Sequence, residues 1–161
     1  MKPEAFDRLF EEHAPALLAF LVYRLGDRPT AEDILADTFE RALRKRSRFD
    51  PRLGNAKAWL YAIALNLVRD HARREAIAER ALARAAAGER ESSDELGHRV
   101  EVRHTVADAL QALMAEEREA ISLRYGADLT VPEIAKLLRL PVSTIEGRVY
   151  RALRKLRAEL E

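Results

Sequence analysis

Between Thr130 and Arg157 two apolar helical periodicities follow one another across a proline, and the second is basic on its outer side. No other feature of the 161-residue chain constrains its fold as tightly. Thr130 followed by Glu133 is a capping box: the hydroxyl accepts from the third helical amide and the carboxylate reaches back to the cap. A helix starts there, with Val131, Ile134, Ala135, Leu137 and Leu138 as its apolar stripe. Leu140-Pro141-Val142 interrupts it, because the residue before a proline is pushed out of the α region. Ile145, Val149, Leu153, Leu156 and Leu160 then recur at helical spacing, leaving Arg148, Arg151, Arg154, Lys155 and Arg157 to face outward. From Lys136 to Arg157 there are seven basic residues against one acid, Glu146. Two helices joined by a tight turn, the second rich in arginine, form the helix-turn-helix geometry that sets a recognition helix in the major groove. Arginine serves there both as a phosphate grip and as a fork onto guanine edges. A solvated basic face is the plainer reading of such arginines, but cap, turn and one-sided charge agree here on DNA binding.

The chain has no cysteine, which excludes a disulfide framework, a thiol nucleophile and cysteine-ligated zinc. No apolar run approaches the roughly 20 residues of a membrane span, and Met1-Lys-Pro-Glu-Ala-Phe does not open a signal peptide, so work in the cytoplasm is expected. The 28 basic and 27 acidic side chains nearly cancel, which argues against a uniform positive coat. Their arrangement is uneven. Residues 1–40 hold nine acids against four bases, whereas Arg41, Arg44, Lys45, Arg46 and Arg48 follow with no acid among them. Such alternation suits a chain that touches both a protein and a nucleic acid.

Alanine, leucine, arginine and glutamate dominate and no period-two run of β-branched residues appears, which predicts an all-α fold. Residues 80–99 lose their large apolar positions and gather Gly88, Ser92, Ser93, Asp94 and Gly97, the pattern of a helix tail fraying into a linker. Two small helical domains are therefore expected, at 1–80 and 102–161, joined by a linker at 81–101. Each is small enough for a marginal core, to which a docked partner could add order.

In the first domain, Phe6, Leu9 and Phe10, then Leu17, Leu18, Phe20, Leu21 and Leu25, give helical stripes on either side of Pro15, which is expected to end or bend the helix. Gly26 closes the segment. Thr30 is expected to cap the next helix, with Glu32 and Asp33 in its first turn and Ile34, Leu35, Thr38, Phe39, Ala42 and Leu43 on its buried side. Phe49-Asp-Pro-Arg-Leu-Gly reads as a loop. Asn55 or Ala56 then opens a long helix built on Trp59, Leu60, Ile63, Ala64, Leu67 and Val68.

Two stretches here, Ala31-Glu-Asp-Ile-Leu-Ala-Asp-Thr-Phe-Glu-Arg-Ala-Leu43 and Trp59-Leu-Tyr-Ala-Ile-Ala-Leu-Asn-Leu-Val-Arg-Asp-His-Ala-Arg-Arg74, resemble conserved region two of bacterial sigma factors. The C-terminal half, from Ala109-Leu-Gln-Ala-Leu through Glu117-Arg-Glu-Ala-Ile-Ser-Leu-Arg-Tyr125 to Ala152-Leu-Arg-Lys-Leu-Arg157, resembles region four. Both regions in this order, with a short linker, are similar to the extracytoplasmic-function group. The resemblance implies a factor that binds core RNA polymerase and directs promoter-specific initiation. Region two would dock on the β′ clamp helices through Asp33, Asp37, Thr38 and Glu40. It would also read and melt the minus-ten element, for which Phe49, Arg52, Asn55, Tyr61 and Asn66 are pocket candidates, with Arg69, Arg73 and Arg74 on phosphates. Region four would read the minus-thirty-five element through Ser143, Thr144, Arg148 and Arg151 and touch the β flap. An anti-sigma factor is a further implied partner. Ala36 stands where the family often has glutamine, and Glu146 where it commonly has lysine. Glu146 could close a capping box with Ser143 or accept from a cytosine amine.

No catalytic constellation emerges. His13, His71, His98 and His104 share no metal-ligand spacing, and neither a nucleophile motif nor a glycine-rich phosphate loop is present, so no enzyme, metal or cofactor is expected. Two rivals stand beside the sigma reading: a dimeric helix-turn-helix repressor binding an operator palindrome without polymerase, and a polymerase-docking adaptor that reads no DNA.

Overall fold

The computed structural model describes residues 1–86 and 106–161, and every regular element among them is helical. Helix α1, Pro3–Leu25, runs unbroken through Pro15. The expected break is absent because the proline sits on the exposed side, where water can satisfy the carbonyl it leaves without an amide. Gly26 ends the helix in the left-handed region at φ 71°, donating its amide to the Val22 carbonyl. Only a residue without Cβ takes that conformation cheaply. Helix α2, Arg28–Lys45, is capped by Asp27 and not by Thr30: the aspartate carboxylate accepts from the Thr30 amide at 3.1 Å. A short tight turn, Arg46–Arg48, and a loop lead to Asn55, whose side-chain oxygen accepts from the Ala58 amide at 2.7 Å and starts helix α3, Ala56–Ala85.

Residues 81–85, expected in the linker, therefore belong to helix. Alanine, leucine and arginine are strong helix formers and carry α3 on even though its last turns are exposed among the described residues. The rest of the expected linker from residue 87, and the expected second domain up to residue 105, lie outside the described residues.

Helices α4, Val106–Gln111, and α5, Ala115–Ile121, precede a wider turn at Ser122–Gly126. Helix α6, Val131–Leu138, carries the predicted capping box: the Thr130 amide donates to Glu133 at 2.7 Å, and the Glu133 amide donates to the Thr130 hydroxyl at 3.3 Å. Arg139 closes α6 at φ 56°, and after Leu140-Pro141 the last helix, α7, runs from Val142 to Leu160.

Buried residues of the two halves join in one apolar cluster. Leu17, Leu21, Leu60 and Leu65 of the first half belong to it together with Leu123, Leu129, Ile134 and Ile145 of the second. Each such side chain contributes about 1.5–3 kcal/mol when fully withdrawn from water. A smaller cluster, Leu110, Leu113, Ile121 and Ala152, lies wholly within the second half. Polar contacts follow the same seam: Arg24 of α1 faces Glu119 of α5 at 3.7 Å.

Candidate nucleic-acid interface

Asn55 caps α3 at the point where the loop from Phe49 turns back, so the first turns of α3 and that loop wall a cleft of about 560 Å³. Phe49 and Trp59 form its aromatic floor, tilted against each other with ring centres 5.1 Å apart. Asn66 and Arg69, one turn apart further along α3, stand on its rim, 3.4 Å from each other. Four of the residues expected in the minus-ten pocket or on its phosphates, Phe49, Asn55, Asn66 and Arg69, are thus gathered around one cavity.

The others fall elsewhere. Tyr61 is only 1% exposed and packs in the core against Phe20 at 5.4 Å, so it offers no surface to a base. Its place follows from the period of α3: it lies on the buried stripe with Leu60, Ala64, Leu65 and Val68. Burial without a hydrogen-bond partner pushes its phenol up to about 12. Arg52 turns to Asp50, donating Nε at 3.0 Å and a terminal nitrogen at 2.9 Å, and does not line the cleft. Arg73 and Arg74 are exposed beyond the cleft, Arg73 lying 3.8 Å from Asp70.

On α2, Asp33, Asp37 and Glu40 are exposed at i, i+4 and i+7, which puts them on one face. Thr38 does not share it. It is fully buried on the opposite side, its hydroxyl donating to the Ile34 carbonyl at 2.6 Å, so it packs α2 and presents nothing outward. Glu40 pairs with Arg44, whereas Asp37 makes no ion pair among the described residues.

Ser143 is exposed and Thr144 and Arg148 are half-buried along the first turns of α7. Helix α7 begins at Val142 with Pro141 at its cap, so Ser143 sits inside the first turn and forms no capping box with Glu146. That expectation for Glu146 fails for this reason, and its carboxylate is exposed. Arg151 turns toward Glu117 of α5, 3.7 Å away.

Glu117 itself was not anticipated as part of this surface. It is 3% exposed, and Lys155 of α7 donates to both its oxygens at 3.0 and 2.8 Å while the Met114 amide donates at 3.3 Å. The Lys155 ammonium above all holds its carboxyl below the ordinary glutamate range. Glu133, Lys136 and Leu137 of α6 were equally unforeseen as walls of the cleft. Nothing in a linear pattern brings positions near 55 to positions near 135; only tertiary packing does. Among the described residues no group of three potential ligands could hold a metal ion, and no helix is long and apolar enough to cross a membrane.

Comparison with known proteins is consistent along the whole chain. Residues 9–77 match the family model described as Sigma-70 region 2, and residues 103–156 match Sigma-70, region 4. The ECF RNA polymerase sigma factor BldN of Streptomyces coelicolor is 31% identical over 160 residues, which cover 95% of this chain but 59% of BldN. The chain therefore spans little more than half of that relative. The ECF RNA polymerase sigma factor SigL of Mycobacterium tuberculosis is 30% identical over 95% of this chain and 87% of SigL. Among solved structures, the sigma factor RpoE bound to the anti-sigma factor NepR from Bartonella quintana superposes with a TM-score of 0.77 at 27% identity, covering 98% of this chain and 97% of that one. CnrH in complex with the cytosolic domain of CnrY gives 0.70 at 31% identity, covering 99% and 89%.

Proposed function

The chain belongs to the extracytoplasmic-function sigma factors of RNA polymerase, and we propose how its residues divide the work of directing initiation to promoters. The half at 1–80 docks on core polymerase and opens the minus-ten element, the half at 102–161 reads the minus-thirty-five element, and the segment between tethers them. Docking on the β′ clamp helices falls to Asp33, Asp37 and Glu40, with Asp37 free of an intrahelical partner and so available to a basic or polar one. Thr38 supports this face from behind.

The observation that carries the reading is the cleft around Phe49, Asn55, Asn66 and Arg69. It joins an aromatic floor for stacking, the Asn66 amide for the edge of an unpaired base and a cation for the strand's phosphate, with Asn55 holding the start of α3 beneath them. That combination is what offsets the few kcal/mol per step needed to unstack a duplex. Arg73 and Arg74 continue the phosphate track along α3. Ser143, Thr144 and Arg148 face the minus-thirty-five major groove. Arg151 reaches DNA only by leaving Glu117, and the β flap meets the same half from outside the groove.

An anti-sigma factor that presents apolar side chains is the inhibitory partner. Support comes from the complexes of RpoE and CnrH and from a second cleft of about 430 Å³ between α1 and the second half, lined by Tyr23, Ile121, Tyr125, Leu153 and Leu156. The relatives are sigma factors and carry no catalytic role of their own, and the chain is read in the same way, as a cytoplasmic protein. Glu146, in place of a lysine, accepts from a base amine in preference to a phosphate, which repels it.

The test is reconstitution of the chain with core polymerase on a library of linear promoters. Discrete start sites are expected. A repressor would instead bind a palindrome without polymerase, and an adaptor would bind polymerase without start sites. Asp37→Arg is expected to abolish association with core enzyme while the helical content of the free chain persists; undiminished association would remove α2 as the docking face.

A further inference from the structure

Three basic side chains of α7, Arg148, Arg151 and Lys155, stand at i, i+3 and i+7 and so share one face of the helix. They are not equally free. Glu117 of α5 reaches into that face from a buried position, accepting from the Lys155 ammonium with both oxygens at 3.0 and 2.8 Å and standing 3.7 Å from Nε of Arg151. Lys155 is thereby occupied, whereas Arg151, its side chain 58% exposed, is held loosely. Arg148 and Arg154 make no ion pair among the described residues. Gly147 takes part in the arrangement. Glycine is unfavourable inside a helix, yet a Cβ at this position would stand 3.1 Å from a terminal nitrogen of Arg151, so any larger residue would shift the guanidinium from where it lies. The bare backbone lets Arg151 fold back along α7 on the side that meets α5.

We infer that Glu117 is a counter-charge that withholds Lys155 and Arg151 from the phosphate backbone and so holds down the sequence-independent grip of the second half on DNA. The inference rests on the reading of α7 as the DNA-facing helix. Each phosphate contact adds affinity for every sequence alike, while discrimination comes from side chains that reach base edges. A helix with all its cations free would cling to any duplex. Burial makes the counter-charge durable: a carboxylate taken out of water loses heavily when its partner leaves, so a passing phosphate does not outcompete it for Lys155. Arg151, more distant and more exposed, is the cation that a well-seated duplex can draw away. The local cancellation has the same sense as the near balance of 28 basic and 27 acidic side chains in the whole chain. Both leave the protein free of bulk DNA and available to polymerase.

The test counts phosphates. The full chain is titrated into a fluorescent duplex of random sequence between about 50 and 200 mM salt, where the slope of log affinity against log salt reports about 0.9 per phosphate engaged. Arg154→Ala should make that slope shallower by about 0.9, whereas Arg151→Ala should change it by no more than about 0.3. A full step lost at Arg151 would show it already on phosphate and overturn the withholding. Glu117→Gln, which keeps an acceptor for the Met114 amide, should steepen the slope by about 0.9 to 1.8 and tighten binding about fivefold or more at the low-salt end. A contact of purely structural value would instead loosen binding and leave the slope alone; that result, with helical content intact by circular dichroism, would overturn the inference. Adding Arg151→Ala to Glu117→Gln should take back about 0.9 of the gain, and no reversal would strip Arg151 of its part. Where Glu117→Gln does not fold, Arg151→Ala alone decides. A chain whose slope responds to neither Arg154→Ala nor Arg148→Ala would sink the reading of α7 as the DNA-facing helix, and the inference with it.

Discussion

Helices α1 to α3 close around Leu17, Leu21, Leu60, Tyr61 and Leu65, all essentially inaccessible, whereas the cluster that α4 to α7 keep to themselves among the described residues is the small one of Leu110, Leu113, Ile121 and Ala152. Leu123, Leu129, Ile134 and Ile145 of the second half belong to the cluster that continues into the first. A half of some sixty residues cannot bury enough surface to stand firmly alone. The second half makes up the shortfall in two ways: it leans on its neighbour, and it pins α5 to α7 with the buried Glu117 carboxylate under Lys155 and Arg151. The polar clamp ties the basic helix α7 to α5 whatever the second half rests on.

That contrast can be attacked directly. Leu123→Ala should cost about 2–5 kcal/mol and loosen α5 to α7 first, seen as early loss of hydrogen-exchange protection there while α3 stays protected. Simultaneous loss in both halves would make them one cooperative unit. Glu117→Gln should cost about 1.5–3 kcal/mol, read by urea unfolding, because it exchanges a charge-assisted pair for a neutral one. Its pH dependence has a definite sign. The folded carboxyl lies below the ordinary value of 4.5, so its contribution is whole above that value and is lost as acid takes the pH down through the folded value. Glu117→Gln should flatten that acid limb; an unchanged limb would assign it to other carboxylates. Arg148→Ala should weaken upstream-element binding by about 1–3 kcal/mol with a shift in preferred sequence, measured by selection from a randomised library. A uniform loss would demote it to a phosphate contact. Smallest is Thr130→Ala, which removes one partner of the α6 box and should cost about 1 kcal/mol in thermal denaturation, confined to the second half.

Much of the local chemistry was readable in the sequence. The Thr130–Glu133 box, the Asn55 cap, Gly26 and Leu140-Pro141 each act within four residues, and each ends or begins a helix where the pattern indicated. Thr38 and Tyr61 mark the limit. Both belong to stretches that resemble a functional region, and both carry polar groups suited to a site, yet each lies on the inner stripe of its helix. Periodicity already set Thr38 among the buried residues of α2; the family match pulled it outward. Pro15 was misjudged for a different reason, since which side of α1 faces water is settled by packing; the Asp27 cap, three residues before Thr30, was local and was missed all the same. The α6 wall of the cleft is wholly tertiary and left no trace in any window of sequence.

The solitary hydroxyl of Tyr61 makes the protein its own alkaline gauge. Starved of water, it should keep its proton up to about pH 12 in the folded chain, whereas an unravelled chain would release it near 10. Ultraviolet titration should therefore show a delayed step whose disappearance reports that the inner packing of α1 to α3 has failed, with no label attached.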